Sequence, residues 1–165
     1  MTSAVAADVL SLLVGRKATV AVAESLTGGL IGATLTAPSG ASAAFRGGVI
    51  AYATELKAAI LGVPKDLLDR EGAVHPDVAA AMAAGVRALT GSTYGLAVTG
   101  VAGPGEQDGK AVGTVHIAVS GPEGAIWRRD GVFPGSREDI RESTVREGLD
   151  LLRGVLEAQM GEHSG

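Results

Sequence analysis

Apolar positions along the chain follow two patterns, one with the period of a helix and one with the continuous character of a buried strand. Val5, Val9 and Leu12 lie at helical spacing. Gly15 ends this segment, because glycine is a poor helix residue and a frequent stop. The next apolar run, residues 18–23, lacks polar alternation, which is typical of a strand buried on both faces. The chain is therefore predicted to open with an amphipathic helix and a buried strand.

The same reasoning divides the rest of the chain into alternating elements. Helices are predicted over 30–35, 55–61, 76–90 and 136–156, with a short one from Pro64, and strands over 47–53, 94–99, 114–120 and 125–132. The turn at residues 121–124 joins the last two strands, so they should form an antiparallel hairpin. This order predicts a single three-layer α/β/α domain over residues 1–165, with a mixed, mostly parallel sheet and the hairpin near the C-terminus.

Composition and charge exclude several classes of function. The 165 residues are 46% hydrophobic and 19% charged, which suits a compact core rather than a disordered chain. A net charge of −4 argues against nucleic acid as a partner, since the broad positive surface that releases counterions is missing. No apolar stretch is long enough to span a membrane and residues 1–17 do not resemble a signal peptide, so a cytoplasmic location is expected.

The absence of cysteine narrows the possible chemistry further, because it removes thiolate nucleophiles, zinc-thiolate sites and disulfides. Metal binding by histidine is not expected either. His75 resembles a helix entry, His116 lies in a predicted strand and His163 is in the polar tail, so no helical pair of ligands is formed.

Two glycine-rich turns follow predicted strands and are candidates for binding a ligand. The first, residues 24–29, delivers the chain to a helix N-terminus, where exposed amides suit an anion. The second, residues 99–105, would let the backbone approach a ligand closely. The candidate binding residues are Ser25, Thr27, Gly28, Gly29, Thr99, Gly100, Ala102 and Gly103. The first turn is explained equally well as a helix cap with tightly packed glycines. The second is explained equally well as a long surface connection.

Ser42, Tyr52 and Lys57 form a third constellation, which suits hydrolysis. A serine hydroxyl needs a partner to take its proton, and a lysine serves if burial lowers its pKa. The ordinary alternative to a hydrolytic site is that Ser42 is a turn residue, Tyr52 a strand residue and Lys57 a surface residue. The site of short-chain dehydrogenases fits poorly, since Tyr52 and Lys57 are not four residues apart and no dinucleotide fingerprint is present. Arg137 lies near the start of the last helix, where the helix dipole does not favour a cation, so it is a candidate ligand for an anion.

Taken together, these motifs resemble the C-terminal domain of the CinA family. The matching segments, in chain order, are residues 23–29, 40–42, 47–57, 61–63, 72–74, 99–104 and 112–115. The family's usual Cys, Ser and Pro are replaced by Leu26, Ala41 and Ala111. The additional N-terminal domain of larger CinA proteins has no counterpart here, so the resemblance is to the stand-alone form.

The resemblance implies an amidohydrolase that converts nicotinamide mononucleotide to nicotinic acid mononucleotide and ammonia. It places the family's serine nucleophile on Ser42 and its tyrosine and lysine on Tyr52 and Lys57. It makes the turns at Thr27–Gly29 and Thr99–Pro104 the walls of the nucleotide pocket and puts Arg137 near the substrate. A glycine turn would supply the oxyanion donors, and the phosphate would be held without a metal or organic cofactor.

Two other classes of function stay open from the residues alone. A non-catalytic, regulatory nucleotide-binding module would use the same turns and release no ammonia. A Schiff-base enzyme would use Lys57 on a carbonyl substrate. We also expect a homo-oligomer, with a dimer favoured, because an Ala-rich helix such as residues 78–89 can pack closely against a second copy. A core contact within one chain explains this helix equally well.

Overall fold

The strands assemble into one five-stranded sheet with helices on both faces. The computed structural model describes residues 2–163, with the backbone alone for 160–163. The helices are α1 (Thr2–Gly15), α2 (Leu30–Thr36), α3 (Thr54–Ala59), α4 (Lys65–Glu71), α5 (Pro76–Thr90) and α6 (Arg137–His163). The strands are β1 (Val20–Glu24), β2 (Phe45–Ile50), β3 (Tyr94–Gly100), β4 (Thr114–Ser120) and β5 (Ile126–Val132). Each long predicted element is present, and α6 extends beyond its predicted end.

The sheet order is β2-β1-β3-β4-β5. Strand β1 pairs in parallel with both β2 and β3, whereas the β3–β4 and β4–β5 pairings are antiparallel. Four strands therefore run in one direction and β4 opposes them. This confirms the predicted mixed sheet, its dominant direction and the β4–β5 hairpin. Strand β2 ends three residues earlier than predicted, because its neighbour β1 ends at Glu24 and the chain then turns into α3.

Two hydrophobic cores fill the space between the sheet and its helices. The larger core joins one face of the sheet to α1, α2 and α6, with Val22, Leu96 and Ile117 from successive strands. The smaller core joins the other face to α4 and α5, with Ala23 and Ala97 contributing from the strands. Because β1 and β3 are covered on both faces, their residues are buried without alternation. The three predicted layers are thus confirmed.

Helix α5 lies unusually close to its neighbours. A side chain added at Gly85 would place its Cβ only 1.9 Å from the backbone oxygen of Leu61. Ala79, Ala80 and Ala83 of α5 are buried in the smaller core, so their small size is explained within one chain, whereas Ala84 and Ala88 are exposed. A homodimer stays a prediction. Among the residues described, no helix combines the length and the apolarity that a membrane crossing requires.

Candidate active site

The carboxyl ends of β1, β2 and β3 meet at one edge of the sheet, and the loops that follow them enclose a cleft. Parallel neighbours necessarily present their ends on the same side, which is where α/β proteins commonly bind ligands. The cleft has a volume of about 380 Å³, the size of a small-molecule site. It is lined by Ser25, Leu26, Tyr52, Ala53, Thr54, Gly100, Val101, Ala102, Gly103, Gly105, Glu106, Gln107 and Arg137.

A buried lysine lies beneath the cleft and contacts its floor. Lys57, on α3, is 1% exposed, and its Nζ donates to Ser25 Oγ at 2.9 Å and to the backbone oxygen of Ala51 at 2.7 Å. The backbone oxygen of Tyr52 lies 3.5 Å away. Burial lowers the pKa of Lys57 from 10.5 to about 8, against a smaller opposite influence of Glu55. Lys57 can therefore exchange a proton with Ser25 near neutral pH, which an exposed lysine cannot do efficiently.

Ser25 is the hydroxyl that joins this lysine to the cleft. It follows the last residue of β1, is 7% exposed, and lines the cleft from the turn that leads into α2. The backbone oxygen of Ser25 accepts a hydrogen bond from the amide of Gly28, which closes the turn. A serine and a lysine in hydrogen-bond contact at the base of a cleft are the parts of an activated nucleophile.

Arg137 crosses the mouth of the cleft. From the start of α6 it donates to the backbone oxygen of Gly103 at 2.7 Å and to the Tyr52 hydroxyl at 3.3 Å. Tyr52 is 62% exposed, so this contact lies at the rim rather than the base. The guanidinium thus holds two walls together and presents a positive charge to the cleft, where an anionic group of a ligand can be recognised.

The loop after β3 is fastened to the connection between α4 and α5. The Thr99 hydroxyl donates to the backbone oxygen of Ala73 at 2.8 Å, and the amide of Ala73 donates to the Asp108 carboxylate at 3.2 Å. Gly72 has a φ of +78°, and an added Cβ would lie 2.8 Å from the Asp108 side chain. These contacts hold both ends of the segment that forms one wall of the cleft.

The structure brings together part of the predicted site. Ser25, Gly100, Ala102, Gly103, Arg137 and Tyr52 line the cleft, and Lys57 contacts it from below. Thr27, Gly28, Gly29 and Thr99 are not among the lining residues. The Thr99 hydroxyl instead donates to the backbone oxygen of Ala73, as described above. In the turn at 27–29, the Thr27 hydroxyl and the Gly29 amide donate to the buried Glu24 side chain.

That carboxylate belongs to Glu24 and corrects the expectation that the first glycine turn offers free amides to a ligand. Glu24 is 1% exposed, and its oxygens accept hydrogen bonds from the amides of Gly29, Ile31 and Gly32. The positive end of α2 is therefore occupied by a residue of the chain itself. A clue was present in the sequence, since Glu24 directly follows the apolar run at 18–23, and an acid at the end of a buried strand requires compensating donors.

The structure also corrects the grouping of Ser42 with Tyr52 and Lys57. Ser42 is exposed in the short helical turn Ala41–Ala43, which precedes β2, whereas Lys57 follows the other end of that strand. The six residues of β2 rise about 3.3 Å each, so its ends lie roughly 17 Å apart. The serine in contact with Lys57 is Ser25, and Ser42 does not line the cleft.

The side chains of His75 and His116 have contacts outside the cleft. His75 caps α5 by accepting from the amide of Asp77, and His116 pairs with Asp130 across β4 and β5 at 2.6 Å. The side chain of His163 lies outside the described residues. Within the described part of the chain there is no group of three or more acidic, histidine or cysteine side chains that could hold a metal ion.

Comparison with known proteins identifies the family. The CinA C-terminal domain model matches residues 2–156. A CinA-like protein of Frankia casuarinae is 58% identical over 90% of this chain and 34% of its own length. A putative competence-damage inducible protein of Desulforamulus reducens is 49% identical over 90% of this chain and 36% of its own length. The chain thus spans about a third of the length of these curated relatives.

Solved structures have the same fold along nearly their whole length. A CinA superfamily protein from Klebsiella pneumoniae superposes with a TM-score of 0.91 at 30% identity, covering 96% of this chain and 99% of the other. A competence/damage inducible protein from Agrobacterium tumefaciens has a TM-score of 0.90 at 34% identity, covering 94% of this chain and 95% of the other. The fold is thus found in separate chains of about this length.

Proposed function

Because this chain belongs to the CinA C-terminal domain family, we propose that it is an amidohydrolase acting on nicotinamide mononucleotide, with Ser25 as nucleophile and Lys57 as its proton acceptor. The observation that carries the proposal is the 2.9 Å contact between Lys57 Nζ and Ser25 Oγ at the base of the cleft. Ser25 takes the place that the family resemblance implied for Ser42, because Ser42 lies beyond the other end of β2 from the lysine and Ser25 contacts it.

The charges that line the cleft suit this substrate. Nicotinamide mononucleotide carries an anionic phosphate and a positively charged pyridinium ring, and the cleft presents Arg137 and Glu106, one charge of each sign. We assign the phosphate to Arg137, since a guanidinium binds phosphate oxygens with charge-assisted hydrogen bonds. The amides at the start of α2 are not assigned to it, because the Glu24 carboxylate already accepts from them.

In the first half of the reaction, neutral Lys57 accepts the Ser25 proton as Ser25 Oγ bonds to the carboxamide carbon. At pH 7 a group with a pKa of about 8 is neutral in roughly one molecule in ten, so the competent form is populated. The carbon–nitrogen bond then breaks, and the proton held by Lys57 passes to the departing nitrogen, which leaves as ammonia. The product of this half is an ester on Ser25.

In the second half, water attacks the ester carbon and gives its proton to Lys57. The ester bond to Ser25 breaks, Lys57 returns the proton to Ser25 Oγ, and nicotinic acid mononucleotide is released. We assign stabilisation of the oxyanion in both halves to the amides of Ala102 and Gly103, which lie in the loop lining the cleft. Tyr52 is assigned to the rim, where it orients Arg137, because its hydroxyl contacts that guanidinium.

The proposed arrangement also favours hydrolysis over Schiff-base chemistry. Lys57 is 1% exposed and its Nζ lies beneath Ser25, so a carbonyl group entering the cleft meets the serine hydroxyl before the amine. A lysine that forms Schiff bases must itself reach the substrate. Borohydride treatment in the presence of a carbonyl substrate is accordingly expected to leave Lys57 unmodified.

The test is ammonia release from nicotinamide mononucleotide by the purified protein, with Ser25→Ala and Ser42→Ala compared side by side. Wild type and Ser42→Ala should release ammonia at similar rates, and Ser25→Ala should release none while still binding the product nucleotide. Activity in Ser25→Ala would overturn the assignment of the nucleophile. No release by any of the three, with nucleotide still bound, would replace the amidase with a nucleotide-binding module.

A further inference from the structure

Glu24 is a fully buried acid next to the proposed nucleophile, and the reaction described above does not use it. Its Oε1 accepts from the Thr27 hydroxyl at 2.6 Å and from the amides of Ile31 and Gly29 at 2.9 and 3.2 Å. Its Oε2 accepts from the amide of Gly32 at 3.0 Å. A buried carboxylate is costly unless its oxygens are satisfied, and here one hydroxyl and three amides satisfy them.

These four hydrogen bonds restrain the turn that carries Ser25. Their donors lie at residues 27–32, so the loop between β1 and α2 is wrapped around the carboxylate. The turn cannot shift without removing donors from a buried charge, which makes such a shift energetically unfavourable. Arg141, from α6, restrains the same turn from outside by donating to the backbone oxygens of Leu26 and Thr27 at 2.9 and 3.4 Å.

We propose that Glu24 is a positioning residue of the amidase reaction, whose carboxylate holds the turn at residues 25–29 so that Ser25 Oγ stays in contact with Lys57 Nζ. This inference rests on the proposed function in one respect, the assignment of Ser25 as nucleophile. Glu24 does not touch the cleft, so it acts through Ser25 and not on the substrate. A loss of this restraint should slow the chemical step and leave substrate binding by Arg137 and the loop at 100–103 in place.

Two substitutions test the restraint at different strengths. Glu24→Gln keeps the size of the side chain but replaces one acceptor oxygen with an NH₂ group, which cannot accept from the surrounding donors. Thr27→Val keeps the shape of Thr27 and removes only the hydroxyl donor. Thr27→Ser restores a hydroxyl and serves as the conservative rescue. Ser120→Ala is the control for general destabilisation, since it removes a buried hydrogen bond to Ala83 elsewhere in the fold.

The experiment has two readouts on the intact protein. The first is the rate constant for labelling of Ser25 by an alkyl fluorophosphonate, in which Ser25 Oγ bonds to phosphorus, fluoride leaves and Lys57 takes the proton. The second is kcat and KM for ammonia release from nicotinamide mononucleotide. Glu24→Gln should lower the labelling rate constant and kcat together by about 10- to 100-fold, with KM within about threefold of wild type. Thr27→Val should follow in the same direction by a smaller factor, and Thr27→Ser and Ser120→Ala should label at the wild-type rate.

The outcomes separate this inference from the proposed function. Labelling of Glu24→Gln at the wild-type rate, or a higher KM with unchanged kcat, would overturn the positioning role. If Glu24→Gln does not fold, the comparison of Thr27→Val with Thr27→Ser decides, and equal labelling of the two would overturn the role. Wild type that labels at Ser25 but releases no ammonia would overturn the amidase proposal and leave the role of Glu24 measurable by labelling. Wild type that does not label at Ser25 would overturn both.

Discussion

Replacing Lys57 by methionine is expected to change how the stability of the protein depends on pH. Methionine has an unbranched side chain of similar length and carries no charge, so it fills the buried space without titrating. Lys57 has a pKa of about 8 in the folded protein, because burial disfavours its charged form, whereas an exposed lysine in the unfolded chain has the ordinary value of 10.5. The unfolded chain therefore binds more protons than the folded protein between these two values.

The sign and size of the effect follow from this difference. Stability rises with pH wherever the unfolded state binds the extra proton, so the contribution of Lys57 increases between pH 8 and 10.5 and is constant outside that window. Each pKa unit corresponds to about 1.4 kcal/mol, so the interval from about 8 to 10.5 amounts to roughly 3 kcal/mol. At pH 7, below both pKa values, the wild type bears this whole net penalty for burying an ammonium.

The assay is urea unfolding of wild type and Lys57→Met at a series of pH values from 7 to 10.5. The free energy of unfolding of wild type minus that of the variant should rise by roughly 3 kcal/mol across the window, because other titrating groups cancel in the difference. The kcat/KM of wild type for ammonia release should rise with pH and level off above about 8, as neutral Lys57 becomes the main form. A stability difference that is flat with pH would refute the reasoning, since it would mean that Lys57 titrates alike in both states.

The remaining predictions concern ligand charge and backbone packing. Arg137→Met should raise KM for nicotinamide mononucleotide by about tenfold or more and raise KM for the unphosphorylated nucleoside much less, because the guanidinium is assigned to the phosphate. Gly85→Ala should lower the free energy of unfolding by roughly 3 kcal/mol, since its Cβ would lie 1.9 Å from a backbone oxygen. Gly154→Ala, on α6 with no atom within 4 Å of the added Cβ, should raise it by about 0.5–1 kcal/mol, as alanine favours a helix.

Each of these predictions has its own internal control. Equal increases in KM for the phosphorylated and unphosphorylated substrates would show that Arg137 shapes the cleft and does not bind the phosphate. The two glycine variants are measured by the same urea titration, and similar effects of Gly85→Ala and Gly154→Ala would contradict the packing difference between α5 and α6. In both cases an unchanged circular dichroism spectrum establishes that the folded states are being compared.

The fold was largely predictable from local pattern. Continuous apolar runs predicted β1 and β3, because a strand covered on both faces has no solvent-exposed face that would require polar residues. The turn at 121–124 predicted the β4–β5 hairpin because its residues are those that reverse a chain. The turn at 99–105 was a candidate for ligand binding for a similar reason, since glycines after a strand permit close approach of a ligand, and residues 100–103 of it line the cleft.

The partner of Lys57 was not predictable in this way. Ser42 is nearer to Lys57 along the chain than Ser25 is, and a glycine lies within three residues of each serine. The parallel pairing of β1 with β2 decides between them, because it places the residue after β1 beside the segment after β2 and leaves Ser42 at the opposite end. Strand pairing joins residues that are distant in the chain, so the hydrophobic pattern within β1 or β2 alone does not predict it.

The charges in the interior depend even more on tertiary structure. The sequence analysis named Ser25 and Lys57 as candidate residues, whereas Glu24 was only the first residue of the turn at 24–29. Burial then decided what each does, since the lowered pKa of Lys57 comes from desolvation and the role of Glu24 comes from the amides folded around it. Desolvation and hydrogen-bond donors are supplied by parts of the chain that meet only on folding, so the local sequence around either residue cannot specify them.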